Sequence, residues 1–494
     1  MAEEGAGMTG VSPAPDLAAA DSLPSHRPSE LTIEVQSTAD DEALPTSPRA
    51  GTPNPWGSRR HTHVEVDDYF TGPRDILKHS KWPVFLQMHG SILPKMILPL
   101  IGVGLWSTLI MCISHYVTKL SVNSVLLTIT GFVVSLGLSL RSSTAYERYG
   151  EGRRYWASLI QASQALGRVF WVHTVERVGE QGERDMLAKL SALNLLVAFA
   201  VALKHRLRYE PYTNHDDIAS LVAHLDTYAQ AATRAEPARV QKAMEKPGFF
   251  KSTGQYLGIS FAASNPRKAV KGAGQPLGNM PLEILSYLAS YIDETISNGL
   301  LPIPMQQTLA YNNLAVLNDV LTGTERVLTT PLPIAYAIAI AQITWVYILL
   351  LPFQLIDTLG WITIPASVAA AYIILGLLFI GHEVENPFGQ DVNDLPLDDY
   401  CAQVAAEMDV IASHPKRRNA DWIETVDNRV LWPLSQSGWP TWRQRGGARV
   451  RQAVQQRVQM TFETTKKRHG FAADSEPVAR RGEKRGSKMA VDTV

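Results

Sequence analysis

Two apolar stretches decide the fold class: residues 96–117, MILPLIGVGLWSTLIMCISHYV, and residues 122–140, VNSVLLTITGFVVSLGLSL. Each approaches the length of about 20 apolar residues that crosses the hydrocarbon core of a bilayer. Two more stretches of this kind occupy residues 334–356 and about 361–380. The sequence therefore predicts an integral membrane protein with four transmembrane helices, one pair within 96–140 and the other within 334–380.

The flanks of these stretches predict the orientation of the chain. Only 118–121 and 357–360 link the members of each pair, so each pair is an antiparallel hairpin and both turns face one side. The opposite side carries the basic flanks Arg74, Lys78, Lys81, Lys95, Arg141, Arg148, Arg153 and Arg154. By the positive-inside rule, both termini and the middle region are cytoplasmic.

The remaining segments predict an all-α protein. Residues 141–333 repeat apolar positions three and four apart, which predicts a helical cytosolic domain with a candidate insertion at 209–278. The apolar run 192–203 is only about a dozen residues long, which favours a buried core helix over a fifth span. A pre-membrane cytosolic segment, 67–95, and a C-terminal helical region, 381–446, complete the folded part.

Both ends of the chain differ from this pattern. Residues 1–66 are acidic and poor in apolar residues, and residues 447–494 are basic, so both are predicted to be largely disordered tails. A membrane-surface role for the basic tail is an alternative. The net charge of −1 gives no basic footprint for nucleic acid, and two cysteines give no disulfide framework.

The second apolar stretch carries Phe132, Leu136 and Leu140 at a spacing of four, which places three bulky side chains on one helical face. Small residues surround them, so one interpretation is ordinary helix packing. The other is a hydrophobic constriction, formed when several subunits surround an axis. Periodicity alone does not choose between the two. Ionisable residues are absent from the four stretches except for His115 near an end, which argues against a proton-coupled pump.

Three motifs resemble those of a known family. They are LSLRSSTAYERYGEGRRYW at 138–156, ERVLTTPLPIAY at 325–336 and ENPFGQDVNDLPLD at 385–398. Together they are similar to motifs of the bestrophin family, in the same order and over about 69–409. The residues that carry the resemblance to its bacterial and fungal branch are Arg141, Ala145, Tyr146, Glu147, Arg148, Asn386, Pro387, Phe388 and Gly389.

This resemblance implies a pentameric ion channel with an axial pore, a neck lined by the second membrane helix and a narrow cytosolic aperture. Carried over by position, the neck falls on Phe132, Leu136 and Leu140, and the aperture on Met305, preceded by Pro304. Animal members use Ile and Phe rings in the neck. The two leucines here leave its width and ion preference open.

The resemblance also implies a calcium clasp, whose positions fall on Gln390, Asp391 and Asp394. The amide of Gln390 replaces a carboxylate, which predicts weak calcium binding. The alternative is that Asp391, Asn393 and Asp394 cap a helix beginning near 395. Glu383 and Glu385 are then expected to pair with nearby basic residues such as Arg148. No cofactor is expected to be required.

The functional expectation is passive permeation of chloride and other small anions through a homo-oligomer, which the resemblance implies to be a pentamer. It is expected in the lipid bilayer of the plasma membrane, with an organelle membrane as the alternative. A cation channel of the same fold and a membrane scaffold or sensor without conductance are the alternatives. No nucleophile elbow, phosphate loop or metal-ligand spacing occurs, so no enzymatic activity is expected. His61 and His63 lie in a polar lead-in and are assigned no metal.

Overall fold

The computed structural model describes residues 90–120, 122, 124–237 and 273–474, and its regular elements are all helices, as the sequence predicts. In the described ranges the helices are α1 (Leu93–Tyr116), α2 (Ser124–Arg168), α3 (Glu180–Leu207), α4 (Ala219–Val222), α5 (Tyr228–Ala235), α6 (Met280–Ser297), α7 (Pro304–Thr329), α8 (Ile334–Leu359), α9 (Thr363–Glu383), α10 (Leu397–Ala412), α11 (Asn419–Ile423), α12 (Trp439–Arg445) and α13 (Gly447–Asp474). The tail 1–66 and most of the segment 67–95 lie outside the described residues.

The apolar helices pack into one layer. The apolar half of α2 packs with α1, α8 and α9 around a core of Met96, Val103, Val134, Leu138, Ile340, Ile348, Ala371, Leu375 and Leu378. Gly360 ends α8 with a φ of +53°, a left-handed conformation that glycine adopts without steric cost. A single 3-10 turn follows, and α9 then runs back along α8.

Helix α3 is the centre of the second layer. By length and composition, three stretches of the described chain could cross a membrane: α1, α3 and the α8–α9 run. In α3, however, 67% of the most apolar window is buried, against 28% in each of the other two. Its middle, 192–203, packs against α6 and α10, which confirms the expected buried core helix.

Helix α2 joins the two layers. It is apolar up to Leu140 and polar beyond Arg141, yet it continues for 45 residues, about 68 Å at the helical rise. It contains no proline, and a short π-helical turn, Val169–His173, extends its end. The polar half of α2 packs along α7. One continuous helix therefore runs from the apolar layer to the far end of the polar layer.

The C-terminal region differs from the expectation. Helix α13 occupies Gly447–Asp474, where a largely disordered tail is predicted, so that prediction is wrong for these residues. The reason is a small apolar cluster of Leu431, Trp442 and Ala453, which anchors the first turns of α13 on α12. The rest of the predicted tail, from 475 onward, lies outside the described residues.

The candidate insertion 209–278 is only partly described. Its first part contains α4 and α5, whose residues Val222 and Ala229 belong to the main core. Thr227 caps α5, because its side chain accepts a hydrogen bond from the Gln230 backbone at 3.3 Å. This part is therefore integrated in the domain, and residues 238–272 lie outside the described ranges.

Candidate functional site

The side chains of Phe132, Leu136 and Leu140 lie on the uncovered face of α2. They are 71%, 52% and 52% exposed. The opposite face of the same helix carries Val134 and Leu138, which are buried in the apolar core. The three bulky side chains therefore do not serve packing within the subunit, and we name them the neck residues.

Two glycines explain why the packed face of α2 is separate from the neck residues. A Cβ atom on Gly131 would lie 3.3 Å from the Tyr347 ring, and one on Gly137 would lie 3.7 Å from Ile340. Small residues at these points let α8 approach α2 closely. The helix-packing interpretation thus holds for the glycine face, and the face of the neck residues is uncovered in the single chain.

Met305 lies at the opposite end of the same pair of helices. It is in the first turn of α7 and is 77% exposed. The neighbouring Gln306 side chain lies 3.1 Å from Nδ1 of His173, just past the end of α2. Since 28 helical residues separate Leu140 from Arg168, the neck and the candidate aperture are roughly 40 Å apart along α2.

Arg141 anchors the end of the neck to α9. It is buried, and its Nη2 lies 3.6 Å from the Glu385 carboxylate. The nearby His382, 3.7 Å away, and the charge of Arg141 lower the pKa of Glu385, which favours the ionised carboxylate. The Arg141–Glu385 pair holds the first polar turn of α2, which follows Leu140 in the chain, against the segment after α9.

Arg148 joins three segments through main-chain oxygens. Its Nε donates to the carbonyl of Glu385 at 3.1 Å, and its two Nη atoms donate to Val327, at 2.5 Å, and to Thr330. The expected partnership of Glu385 and Arg148 thus involves the main chain of Glu385. The two carbonyls at the end of α7 gain a positively charged donor, which is favourable at a helix C-terminus.

The other members of the first motif have a different placement. Tyr146 is 72% exposed and Glu147 is also exposed, so neither is buried in the network around Arg141 and Arg148. Glu383, the other acid expected to pair with a base, contacts Lys95 at 3.2 Å. Sequence reasoning missed that partner, because 288 positions separate the two residues.

The Asn386-Pro387-Phe388-Gly389 motif is a compact turn against α2. Phe388 is fully buried, and its ring lies 3.0 Å from the position of a Cβ on Gly152. A Cβ on Gly389 would lie 2.4 Å from Oδ2 of Asp394, so a larger residue there would require the Asp394 side chain to move. The same Oδ2 accepts the Asp391 backbone N–H at 2.7 Å. The motif thus fixes the loop between α9 and α10.

The positions of the calcium clasp do not fit a calcium cage. The Gln390 side chain donates to Glu210 at 2.7 Å, and Asp391 lies 3.7 Å from the Lys95 ammonium. Burial, with the charge of Asp391, raises the pKa of Asp394 to about 8, so that carboxyl is protonated at neutral pH. Calcium is held by about six to eight oxygen ligands, among which carboxylates supply the charge, and of these three side chains one is an ionised carboxylate that already faces Lys95.

The capping alternative for this loop is wrong. Helix α10 begins at Leu397 with Pro396 as its N-cap residue, and no side chain caps it. Asn393 instead donates to the Gly90 carbonyl at 3.1 Å and to Glu383 at 2.8 Å. The polar residues of the loop therefore connect it to the start of α1.

An uncovered apolar layer of helices, with a buried polar network beside it, defines an integral membrane protein. The family described as "Bacterial/Fungal Bestrophin protein" matches residues 74–248 and 264–410. The chain belongs to the bestrophin family. The match includes 209–248, so an insertion relative to the family is limited to 249–263, outside the described residues.

Characterised relatives agree with this assignment. A voltage-dependent anion channel-forming protein of Nostoc sp. is 31% identical over 357 residues, which cover 71% of this chain and 98% of the relative. One from Synechocystis sp. is 29% identical over 67% of this chain and 92% of the relative. A crystal structure of a bacterial bestrophin homolog from Klebsiella pneumoniae covers 65% of this chain and 100% of its own, with 25% identity and a TM-score of 0.47.

Proposed function

We propose that this chain is the subunit of an anion channel, through which chloride and other small anions diffuse passively. The observation that carries the proposal is the uncovered face of Phe132, Leu136 and Leu140 on α2. The names of the two cyanobacterial relatives, both anion channel-forming proteins, support it. By their positions relative to the family motifs, the neck residues would be the counterparts of the family's pore neck.

The proposed assembly is a homopentamer around one axial pore. In a single subunit, the neck residues form an apolar stripe that is open to the surroundings, and neighbouring copies around an axis would cover it. Successive neck residues are four positions apart, about 6 Å along the helix, so five subunits would form three stacked apolar rings. Met305 would form a further ring near the cytosolic end.

The neck supplies a physical basis for anion selectivity. Rings of apolar side chains remove water from a passing ion and bind no ion tightly, which permits fast exit. Large anions lose their hydration at a lower cost than small ones, so weakly hydrated anions are favoured. The positive ends of helices and basic residues on the cytosolic side attract anions by long-range electrostatics.

The proposed topology has four membrane spans: α1, the apolar part of α2, α8 and α9. The basic residues Lys95, Arg141 and Arg148 flank these spans on one side, which favours cytoplasmic termini and a cytoplasmic α3–α7 region. The plasma membrane is the proposed site. The chain acts as a channel and not as an enzyme, and permeation proceeds without calcium, because the clasp positions carry too little negative charge.

The first test is the current through the purified oligomer in planar bilayers under a KCl gradient. A reversal potential near the chloride equilibrium value supports the proposal, and one near the potassium value indicates a cation channel of the same fold. Silence of an intact oligomer indicates a scaffold or sensor. The mass of the detergent-solubilised complex tests the pentamer.

Leu136→Ala identifies the neck in the same assay. Leu136 is 52% exposed, and Leu109 on α1 is 51% exposed, so Leu109→Ala is a control of equal size and equal exposure. We expect Leu136→Ala to raise the conductance and Leu109→Ala to leave it unchanged. Equal effects of the two substitutions on conductance would show that α2 does not line the pore.

A further inference from the structure

A group of metal-ligating side chains lies at the C-terminal end of α3, away from the neck. His205 is buried, and its Nδ1 lies 2.7 Å from Oε2 of Glu210. The ring of His215 stacks on that of His205, with centroids 4.4 Å apart and planes at 24°. One ligand atom from each of the three residues lies within 4.8 Å of the other two.

The spacing suits a transition metal of the zinc type. Zinc–nitrogen and zinc–oxygen bonds of about 2.0–2.2 Å place the ligand atoms of a tetrahedral site ~3.4 Å apart. Closing from 4.8 Å requires movements of the order of 1 Å or less for each ligand. Two imidazoles and one carboxylate form an intermediate ligand set that prefers such an ion over calcium or magnesium.

A second shell of side chains already orients the candidate ligands. Nε2 of His205 lies 3.0 Å from Oδ1 of Asp217, so this carboxylate holds the N–H of the ring and leaves Nδ1 directed at Glu210. A carboxylate behind a ligating histidine is a regular feature of zinc sites. Asp217 is itself held by the buried ammonium of Lys204, which also donates to Asp398 at 2.7 Å.

Glu210 is positioned from two directions. Its other oxygen, Oε1, accepts a hydrogen bond from Gln390 at 2.7 Å. Its backbone N–H donates to the carbonyl of His205 at 2.9 Å, and the preceding Tyr209 has a φ of +59°. Among the described non-glycine residues, Tyr209 is the one with a positive φ. This left-handed residue and the backbone hydrogen bond end α3 and fold Glu210 back over His205.

The alternative to a metal site is a network of ion pairs without a metal. Such a network would explain why His205 lies between the carboxylates of Glu210 and Asp217. It would not require the stacking of His215 on His205, although His215 also lies close enough to Glu210 and Asp217 to interact with their charges. A metal site uses all of these features, because His215 supplies the second nitrogen. The buried Lys204 does not oppose a cation here, since Asp217 and Asp398 neutralise it.

We propose that His205, Glu210 and His215 form a binding site for a divalent transition metal of the Zn²⁺ class, with Asp217 as the residue that orients His205. The metal takes the place of the proton shared by His205 Nδ1 and Glu210, and water completes a fourth position. The site lies in the helical cytosolic layer, apart from the neck. It does not depend on which ion the channel conducts.

The test is metal binding to the full-length oligomer in detergent, after EDTA treatment and dialysis. Zn²⁺ titration by calorimetry is expected to give one ion per chain, and Co²⁺ is expected to show the visible bands of a four-coordinate site. We expect His215→Gln or Glu210→Gln to weaken Zn²⁺ binding by at least 100-fold, and Asp217→Asn by about 10–100-fold.

Two controls separate this site from other histidines. His224→Gln removes an exposed histidine from the neighbouring segment and should leave binding unchanged. The double change His61→Gln and His63→Gln should also retain one ion per chain. Gel filtration confirms that each variant is an intact oligomer. Absence of a stoichiometric ion in the wild type, or wild-type affinity in an intact His215→Gln oligomer, overturns the proposal.

Discussion

Nε of Arg148 donates a hydrogen bond to the main-chain oxygen of Glu385, and the two atoms are 3.1 Å apart. The same guanidinium group also binds the carbonyls of Val327 and Thr330 at the end of α7. A single side chain thus connects α2, α7 and the loop after α9. Hydrogen bonds from a charged donor to partly buried carbonyls stabilise a fold more than neutral ones do.

We therefore expect Arg148→Ala to lower the free energy of unfolding by roughly 2–3 kcal/mol, because the carbonyls lose a charged donor. Arg148→Lys should give an intermediate loss, since an ammonium lacks the planar fork that reaches three oxygens. Arg154→Ala, an exposed arginine on the same helix, is the control. Thermal unfolding in detergent measures these differences, and equal losses for Arg148→Ala and Arg154→Ala would contradict the assignment.

The neck residues predict a selectivity change. If the neck residues line the pore, Leu136→Ala shortens the segment that removes water from the ion. The permeability of strongly hydrated chloride should then increase more than that of weakly hydrated thiocyanate. We expect the thiocyanate-to-chloride permeability ratio to fall about twofold to threefold, which is below about 1 kcal/mol. Reversal potentials with the two anions on opposite sides measure this ratio. An unchanged ratio, as expected for Leu109→Ala, would show that Leu136 does not contact the ions.

Asp394 predicts a pH dependence of stability. Its pKa is raised from 3.8 to about 8, chiefly by burial and also by Asp391. The folded state therefore keeps a proton that the unfolded state releases, and this contribution to stability is lost as the pH rises from about 3.8 through 8. Asp394→Asn keeps a neutral acceptor for the Asp391 N–H without titrating.

The melting temperatures of wild type and Asp394→Asn, measured in EGTA at pH 5, 6.5 and 8, check this prediction. The melting temperature of the variant, relative to that of the wild type, should rise with each increase in pH. The reason is that only the wild type loses the stabilising contribution of the protonated carboxyl. Parallel pH profiles would show that Asp394 is ionised in the folded protein throughout this range.

Gly389 predicts a steric effect at the family motif. A Cβ there would lie 2.4 Å from Oδ2 of Asp394, so Gly389→Ala should cost about 1–3 kcal/mol. Gly150→Ala is a matched control, because a Cβ at that helical position meets nothing within 4 Å and should be neutral or stabilising by about 0.5–1 kcal/mol. Thermal or denaturant unfolding compares the two variants.

A double substitution isolates the cause of the Gly389 effect. In an Asp394→Ala background the clashing oxygen is gone, so adding Gly389→Ala should cost clearly less than it does in the wild type. The same cost in both backgrounds would mean that the main chain at Gly389, and not the Asp394 carboxyl, excludes a side chain.

Local patterns in the sequence were sufficient for part of this architecture. The run 192–203 is too short to span a bilayer, and its length identified α3 as a core helix. The spacing of four between Phe132, Leu136 and Leu140 placed them on one face of α2, and the structure leaves that face uncovered. In both cases the signal lies within one helix, where the period of the backbone fixes which side chains share a face.

Other features depend on contacts that no local pattern encodes. Glu210 meets Gln390 across 180 positions, and Lys95 meets Glu383 across 288. Composition alone predicted disorder at the start of α13, because the segment is rich in basic residues. The contact of Ala453 with Leu431 and Trp442, which holds the helix, is not visible in composition. These pairings arise from tertiary packing, which selects among many chemically equivalent partners.

The unbroken course of α2 has a mechanical consequence. Because Leu136 and Arg168 share one continuous helix without proline, about 48 Å long between them, a tilt of this helix moves both of its ends. A tilt of about 5° about its polar end would displace Leu136 by about 4 Å. Small rotations of the polar layer are thus geometrically amplified at the neck residues.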